Sequence, residues 1–334
     1  MFKKIFSRFI STLSLFCRIP LMGNREFQSQ GFNLFFPFIS FFPSFVFLAG
    51  VFFFYKIKLP VFIMAVFLIS VYYLIFNLYH YDGLSDCLDA FCADKSKEQR
   101  PAILKDVHVG SFSLFFGSLY VFSKAYLIYQ LLDLLLNNLV IVKNQITAFF
   151  TINGSQMFLA NKFDFFFRQF NKEFDQINKN FAIIFIIFFF FYFFSFFSRI
   201  SAFFVAVIGK PLKNEGSGNF FISLTKQKGK TAGFFLGFLS GFLFIYLFGL
   251  IFLCTIGYPL NTLFSVNFIF LFFILYFFAF AFVLLFALII AFLCNLFYNE
   301  KLGGITGDCF GFHIEISELL FLAAGYLMVF YFLY

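Results

Sequence analysis

The sequence predicts an all-α, polytopic integral membrane bundle of about seven transmembrane helices, forming a single domain over residues 1–334. Three observations carry that prediction. Hydrophobic residues make up 62% of the chain and charged residues only 12%, with a mean hydropathy of +0.93. A soluble fold of this size needs more polar surface than that to cover its core. Uncharged runs longer than about 18 residues recur, the length a helix needs to cross a bilayer. Phe supplies 71 residues and Trp none, which reads as exchange among lipid-facing apolar side chains and not as an aromatic site.

Taken in order, uncharged runs predict helices at 32–55, 59–79, 111–136 and 181–198. From Thr231 to Asn299 there is no charge, too long a run for one crossing. Gly257-Tyr258-Pro259-Leu260-Asn261 has the turn chemistry to divide it into a fifth helix near 231–256 and a sixth near 263–298. The sixth would measure about 52 Å at 1.5 Å per residue, so it must tilt, kink or project. A seventh runs from 317. Met1–Pro20 is basic and mildly apolar without a clear cleavage site, so the first span is expected to direct insertion. The six Cys form no CxxC pair or zinc spacing and read as small buried hydrophobes.

The net charge of +8 fits anionic headgroups better than nucleic acid, and no nucleic-acid partner is expected. With the N-terminus inside, segments 1–31, 80–110, 199–230 and 299–316 hold 16 Lys and Arg, against seven outside. That bias predicts a cytoplasmic (inner) membrane protein with those segments facing the cytoplasm. The polar stretch 137–180 reads as an amphipathic or partly disordered extracytoplasmic loop.

The acids are concentrated. Six of 16 fall in 80–110 and four in 299–318, both assigned to the same membrane face. Asp82, Asp86 and Asp89 follow i, i+4, i+7 spacing, placing three carboxylates on one helical stripe. Like charges stacked this way repel, so the pattern implies a cation, and oxygen ligands favour Mg²⁺ or Mn²⁺ bridging to phosphate. The alternative is a solvated acidic face. Gly303, Gly304 and Gly307 would let backbone approach a ligand beside Asp308, Glu315 and Glu318, unless they form an ordinary interhelical turn.

Lys105, Arg199, Lys210 and Lys213 lie on the same side, and Lys124 is embedded in the third helix, where an ionisable group is a functional candidate unless it snorkels. His80 and His108 are candidates for proton transfer or hydrogen bonding, with plain interfacial histidines as the alternative. These residues point to metal-dependent chemistry on a phosphate-containing substrate at the membrane surface.

The motifs resemble those of the cobalamin synthase family, the adenosylcobinamide-GDP ribazoletransferases. The matching stretches are Tyr79-His80-Tyr81-Asp82-Gly83-Leu84-Ser85-Asp86 with Asp89, Lys105-Asp106 with Gly110, and Ser198-Arg199. Glu215-Gly216-Ser217-Gly218-Asn219 and Leu302-Gly303-Gly304-Ile305-Thr306-Gly307-Asp308 with Gly311, Glu315 and Glu318 complete the set. Arg18-Ile19-Pro20 also resembles the family's opening. Ala90 departs from a usual Gly, and Val107-His108 stands where the family has Ser-Arg, making His108 a substitute for that Arg.

The resemblance implies the last assembly step of coenzyme B12, in which adenosylcobinamide-GDP reacts with α-ribazole or its 5′-phosphate and releases GMP. It implies Mg²⁺ held by Asp82, Asp86, Asp89 and Asp308, and substrate contacts from Gly83, Lys105, His108, Gly303, Gly304 and Gly307. Asp106, Asp308, Glu315 or Glu318 would complete the metal site or take the hydroxyl proton. Arg199 and Lys124 would offset charge on the leaving group, with His80 nearby. Membrane lipid is an expected partner, and a homo-oligomer is left open. The rival readings are a CDP-alcohol phosphotransferase, although no Ala-Arg follows Asp82-Gly83, and a transporter, which would need charges near mid-span.

Overall fold

The computed structural model describes residues 2–21, 26–156, 163–213, 216–226 and 266–333. Among the described residues eleven α-helices are numbered α1 to α11. They are α1 Phe2–Ser14, α2 Phe32–Ile39, α3 Phe42–Lys56, α4 Val61–Tyr72, α5 Leu78–Cys92 and α6 Arg100–Ile103, followed by α7 Ser111–Gln156, α8 Phe163–Ile208, α9 Ser217–Thr225, α10 Val266–Lys301 and α11 Gly307–Leu333. Six stretches among the described residues are long and apolar enough to cross a membrane: Phe32–Lys56, Val61–Cys92, Ser111–Ile141, Ile186–Ile208, Phe280–Lys301 and Gly307–Tyr331. This is a multi-pass helical membrane bundle. The expected fifth helix near 231–256 and its Gly257–Asn261 turn lie outside the described residues.

Several boundaries differ from the sequence reading, each for a physical reason. The second span does not stop at residue 79. A π-helical turn, Tyr73–Asn77, joins α4 to α5 and carries the helix to Cys92. The last helix starts at Gly307, ten residues before the expected 317. Its carboxylates mimic a loop by composition, but Glu315 and Glu318 are fully buried within the helix. The expected loop at 137–180 is also corrected, since α7 continues to Gln156 and α8 begins at Phe163. Gly303, at φ +87°, ends α10, its N–H donating to the Tyr298 and Asn299 carbonyls. A side chain there would be strained.

The Phe reading needs correction too. Phe62, Phe122 and Phe278 face outward as expected. The run in α8 is different: Phe191, Phe193, Phe194, Phe196 and Phe197 are buried. Phe41 stacks on Phe196 at 4.0 Å between centroids, and Phe197 stacks on Phe321 at 4.5 Å. A helix apolar all round belongs at the centre of a bundle. Accordingly α11 packs on α8, α5 and α7, and α10 runs along α8.

All described connections that carry the motifs gather at one end. Lys210 and Leu212 exchange backbone hydrogen bonds with Ile305, at 2.9 and 3.0 Å. Arg100 reaches the Lys301 carbonyl at 3.3 Å. The N-terminal segment joins the same end, where the Arg18 N–H donates to the Ile75 carbonyl at 2.7 Å.

Candidate active site

Two glycines bring the acidic stretches together. A Cβ added to Gly83 would lie 2.8 Å from the Asp308 carbonyl oxygen and 3.0 Å from its Cα. One added to Gly311 would lie 2.7 Å from the His80 carbonyl oxygen and 3.2 Å from the Gly83 Cα. Helices α5 and α11 therefore touch backbone to backbone, the close approach that small residues allow between membrane helices. Asp82 and Asp86, one turn apart on α5, are thereby set beside Asp308 in the first turn of α11. Asp86 lies within electrostatic reach of Asp82, Asp89 and Asp308, and Asp308 within reach of Asp82. Gly83 thus acts through helix packing, where the sequence suggested substrate contact.

Asp89 has a different partner. Its carboxylate accepts the Gly110 N–H at 2.8 Å and the Ser113 N–H at 3.0 Å. These are N–H groups at the start of α7 that have no partner within the helix. Asp89 therefore holds α7 to α5, a structural task beyond the metal role expected for it. The carboxylates left at the rim are Asp82, Asp86 and Asp308. Among the described residues, no three His, Cys, Asp or Glu side chains are preassembled around a metal position.

Beside Asp308 a cavity of about 150 Å³ opens between the end of α6, the loop before α9 and the start of α11. The starts of both α9 and α11 border it, at Ser217-Gly218 and Thr306-Gly307, so first-turn N–H groups and two positive dipole ends converge there. Lys105 and Lys213 form its basic wall. They lie close enough that Lys105 pushes the Lys213 ammonium below its ordinary pKa, and neither makes an ion pair among the described residues. Gly304 packs on the Pro211–Leu212 backbone and Gly307 on Ser217.

Asp106, a catalytic candidate, is exposed and turned onto its own loop. It accepts the His108 N–H at 3.0 Å and meets the ring Nδ1 at 2.7 Å. Those contacts hold its carboxyl below the usual range. His108 is thus occupied with Asp106.

The remaining candidates form a separate cluster inside the membrane region. Glu318 lies ten residues beyond Asp308, about 15 Å along α11. Lys124 Nζ meets Glu315 Oε2 at 2.9 Å and Glu318 Oε2 at 2.6 Å, with all three side chains buried. Arg199 Nη1 meets Glu318 Oε1 at 3.0 Å, and Nη2 donates to Asn77 Oδ1 at 2.9 Å. Asn77 Nδ2 in turn donates to both glutamates, each at 2.8 Å. Tyr72 donates to Glu318 at 2.6 Å, and Tyr73 and Tyr120 donate to Glu315 at 2.8 and 2.5 Å.

Two positive and two negative groups balance, and every glutamate oxygen has a donor. That is the condition for burying charge at tolerable cost. Lys124 does not snorkel, and Lys124 and Arg199 are consumed by Glu315 and Glu318, so none of the four joins the aspartate rim. The mid-span charges that transport required exist but are saturated by protein groups. His80, one turn before Gly83, is half-buried, and its enclosed Nε2 has no partner.

Sequence reasoning missed Tyr72, Tyr73, Asn77 and Tyr120. The usable signal was polar side chains inside apolar spans, the same signal that marked Lys124. The π-turn is what gathers Tyr72, Tyr73 and Asn77 onto one cluster.

Comparison with known proteins gives one family. The sequence model of the cobalamin-5-phosphate synthase family matches residues 8–158 and 173–326. Relatives named adenosylcobinamide-GDP ribazoletransferase include one from Thermosipho melanesiensis, 32% identical over 34% of this chain and 47% of its own length. Another, from Clostridium kluyveri, is 27% identical over 95% of both chains. The alignment thus spans about half of the Thermosipho relative and nearly all of the Clostridium one. No solved structure matches.

Proposed function

The chain belongs to the cobalamin-5-phosphate synthase family, and from that premise we propose that it is an adenosylcobinamide-GDP ribazoletransferase acting at the cytoplasmic face of the inner membrane. One observation carries this reading. The Gly83–Gly311 contact sets Asp82 and Asp86 beside Asp308, at the mouth of a cavity with two unpaired lysines and two helix starts.

The reaction is phosphoryl transfer. A ribose hydroxyl of α-ribazole, or of its 5′-phosphate, attacks the phosphorus that bears the cobinamide arm. A new P–O bond forms, the bond to the GMP phosphate breaks, and GMP leaves with the negative charge. The hydroxyl proton passes to a rim carboxylate. Lys105, Lys213 and the N–H groups at the starts of α9 and α11 hold the diphosphate and offset charge on the departing phosphate.

A divalent ion fits the donor set. Asp82, Asp86 and Asp308 offer only hard carboxylate oxygens and no complete cage, and Mg²⁺ is usually held by one or two carboxylates together with substrate phosphates. When bound it would neutralise phosphoryl charge.

The test is direct. Purified protein in liposomes is given adenosylcobinamide-GDP, α-ribazole 5′-phosphate and Mg²⁺, and GMP and corrinoid product are measured. Turnover that stops on chelation and returns with Mg²⁺ is expected. Folded protein that releases no GMP removes the assignment, and turnover indifferent to chelation removes the ion.

A further inference from the structure

A second cavity, about 390 Å³, also reaches the rim and has no role so far. Asp82 borders it, as Asp308 borders the lysine-lined cavity. Each hollow therefore borders a different carboxylate of the same rim, so two bound substrates can be brought together there.

Their walls differ in chemistry. Among its lining residues the second cavity has a single cation, Arg18, with Tyr79 and Tyr81 as aromatic walls and Val109 and Leu114 as apolar ones. Such a surface suits a planar heteroaromatic base, stacked on tyrosine and held by apolar contact. Arg18 is fixed by its backbone. Its N–H bonds to Ile75 inside the π-turn at 2.7 Å, while its side chain is exposed and has no ion pair among the described residues. An unpaired guanidinium beside an aromatic wall has the fork geometry for a phosphate monoester.

We propose that this cavity is the acceptor-nucleoside site and that Arg18 is the residue that reads the acceptor's 5′-phosphate. The proposal rests on the transferase reading above. Attack comes from a ribose hydroxyl facing Asp82, which leaves the 5′ end of the acceptor free to reach Arg18. The diphosphate-bearing donor then occupies the lysine-lined cavity alone.

Steady-state kinetics on the full-length protein in liposomes test this, with the nucleoside and its 5′-phosphate as alternative acceptors at saturating donor. Arg18→Ala should raise KM for the phosphorylated acceptor at least tenfold, and leave KM for the nucleoside and for the donor within twofold. Arg18→Lys should recover part of the loss, because it keeps the charge and not the fork. Tyr79→Ala should raise KM for both acceptors alike.

Equal changes on both acceptors, a change in donor KM alone, or a wild type that accepts only the nucleoside each overturn the Arg18 assignment while leaving the transferase standing. If the wild type accepts only the phosphorylated form, the tenfold KM rise with unchanged donor KM remains the requirement. A wild type that turns over neither acceptor removes the transferase reading, and this one with it.

Discussion

At the scale of single residues, the aspartates of one motif have separate tasks, and substitution should tell them apart. Asp82→Asn and Asp308→Asn keep size and remove charge. Each is expected to reduce turnover by at least 100-fold while membrane insertion and detergent stability stay unchanged. Wild-type rates from either would mean that the rim does not hold the reacting phosphate. Asp89→Ala should behave differently, since it strips the acceptor from two α7 N–H groups. Losing a capping interaction costs about 1 kcal/mol, so its first effect should be a lower melting temperature. Asp106→Asn should be mild, because its carboxylate serves His108 on an exposed loop. Lys124→Met is the severe case. It leaves Glu315 and Glu318 with one cation between them, and breaking a buried pair costs about 3–5 kcal/mol. Failure to accumulate folded protein is the expected readout, and a stable Lys124→Met protein would contradict the network.

At the scale of elements, the crossing of α5 and α11 depends on having no side chains at Gly83 and Gly311. Overpacking typically costs about 1–3 kcal/mol. Gly83→Ala should also separate Asp82 from Asp308, so activity should fall further than stability does. A Gly83→Ala protein with full turnover would show that the rim tolerates a wider gap. The first helix is a different kind of element. It carries Lys3, Lys4 and Arg8 with Ile5 and Phe6, and the Ile5 side chain is exposed. A basic amphipathic helix of that kind lies in the headgroup layer. The chain has no Trp, so Ile5→Trp creates a unique fluorophore. Its emission should shift blue in liposomes and be quenched by lipids brominated near the headgroup. Water-like emission would place α1 away from lipid.

What the sequence could and could not reveal also divides by element. Runs free of charge are a one-dimensional signal, and five of the expected spans correspond to described helices with altered ends while the last begins earlier. The i, i+4, i+7 aspartates and the Gly303–Asp308 stretch were legible because their residue types are unusual beside a membrane. Their proximity was inferred only as a shared membrane face; the Gly83–Gly311 contact that creates it has no signature in one sequence. The partners of Glu315 and Glu318 were hidden for a related reason. Spacing put Asp308, Glu315 and Glu318 on one helical face, but spacing does not say that Lys124 and Arg199 from two other helices claim the last two.

For the whole molecule, the arrangement demands that the described motif loops share one membrane face. Single cysteines at the exposed positions 95 and 300, in a background without native cysteines, should react with an impermeant reagent from the same side, and one at 165 from the other. Opposite labelling of 95 and 300 would dismantle the site. On the proposed function, the rim formed where α5 meets the start of α11 holds the diphosphate at the membrane surface.

The neutral cluster of Lys124, Arg199, Glu315 and Glu318 also constrains how the chain is made. Its basic members lie on α7 and α8, and both acidic members lie on α11, which is synthesised after them. Until α11 arrives, the nascent protein holds two uncompensated cations at a depth where each is costly. The translocon or a membrane chaperone must therefore shelter α7 and α8 until α11 has been made. Chains broken off before residue 315 should be recognised and degraded by quality control.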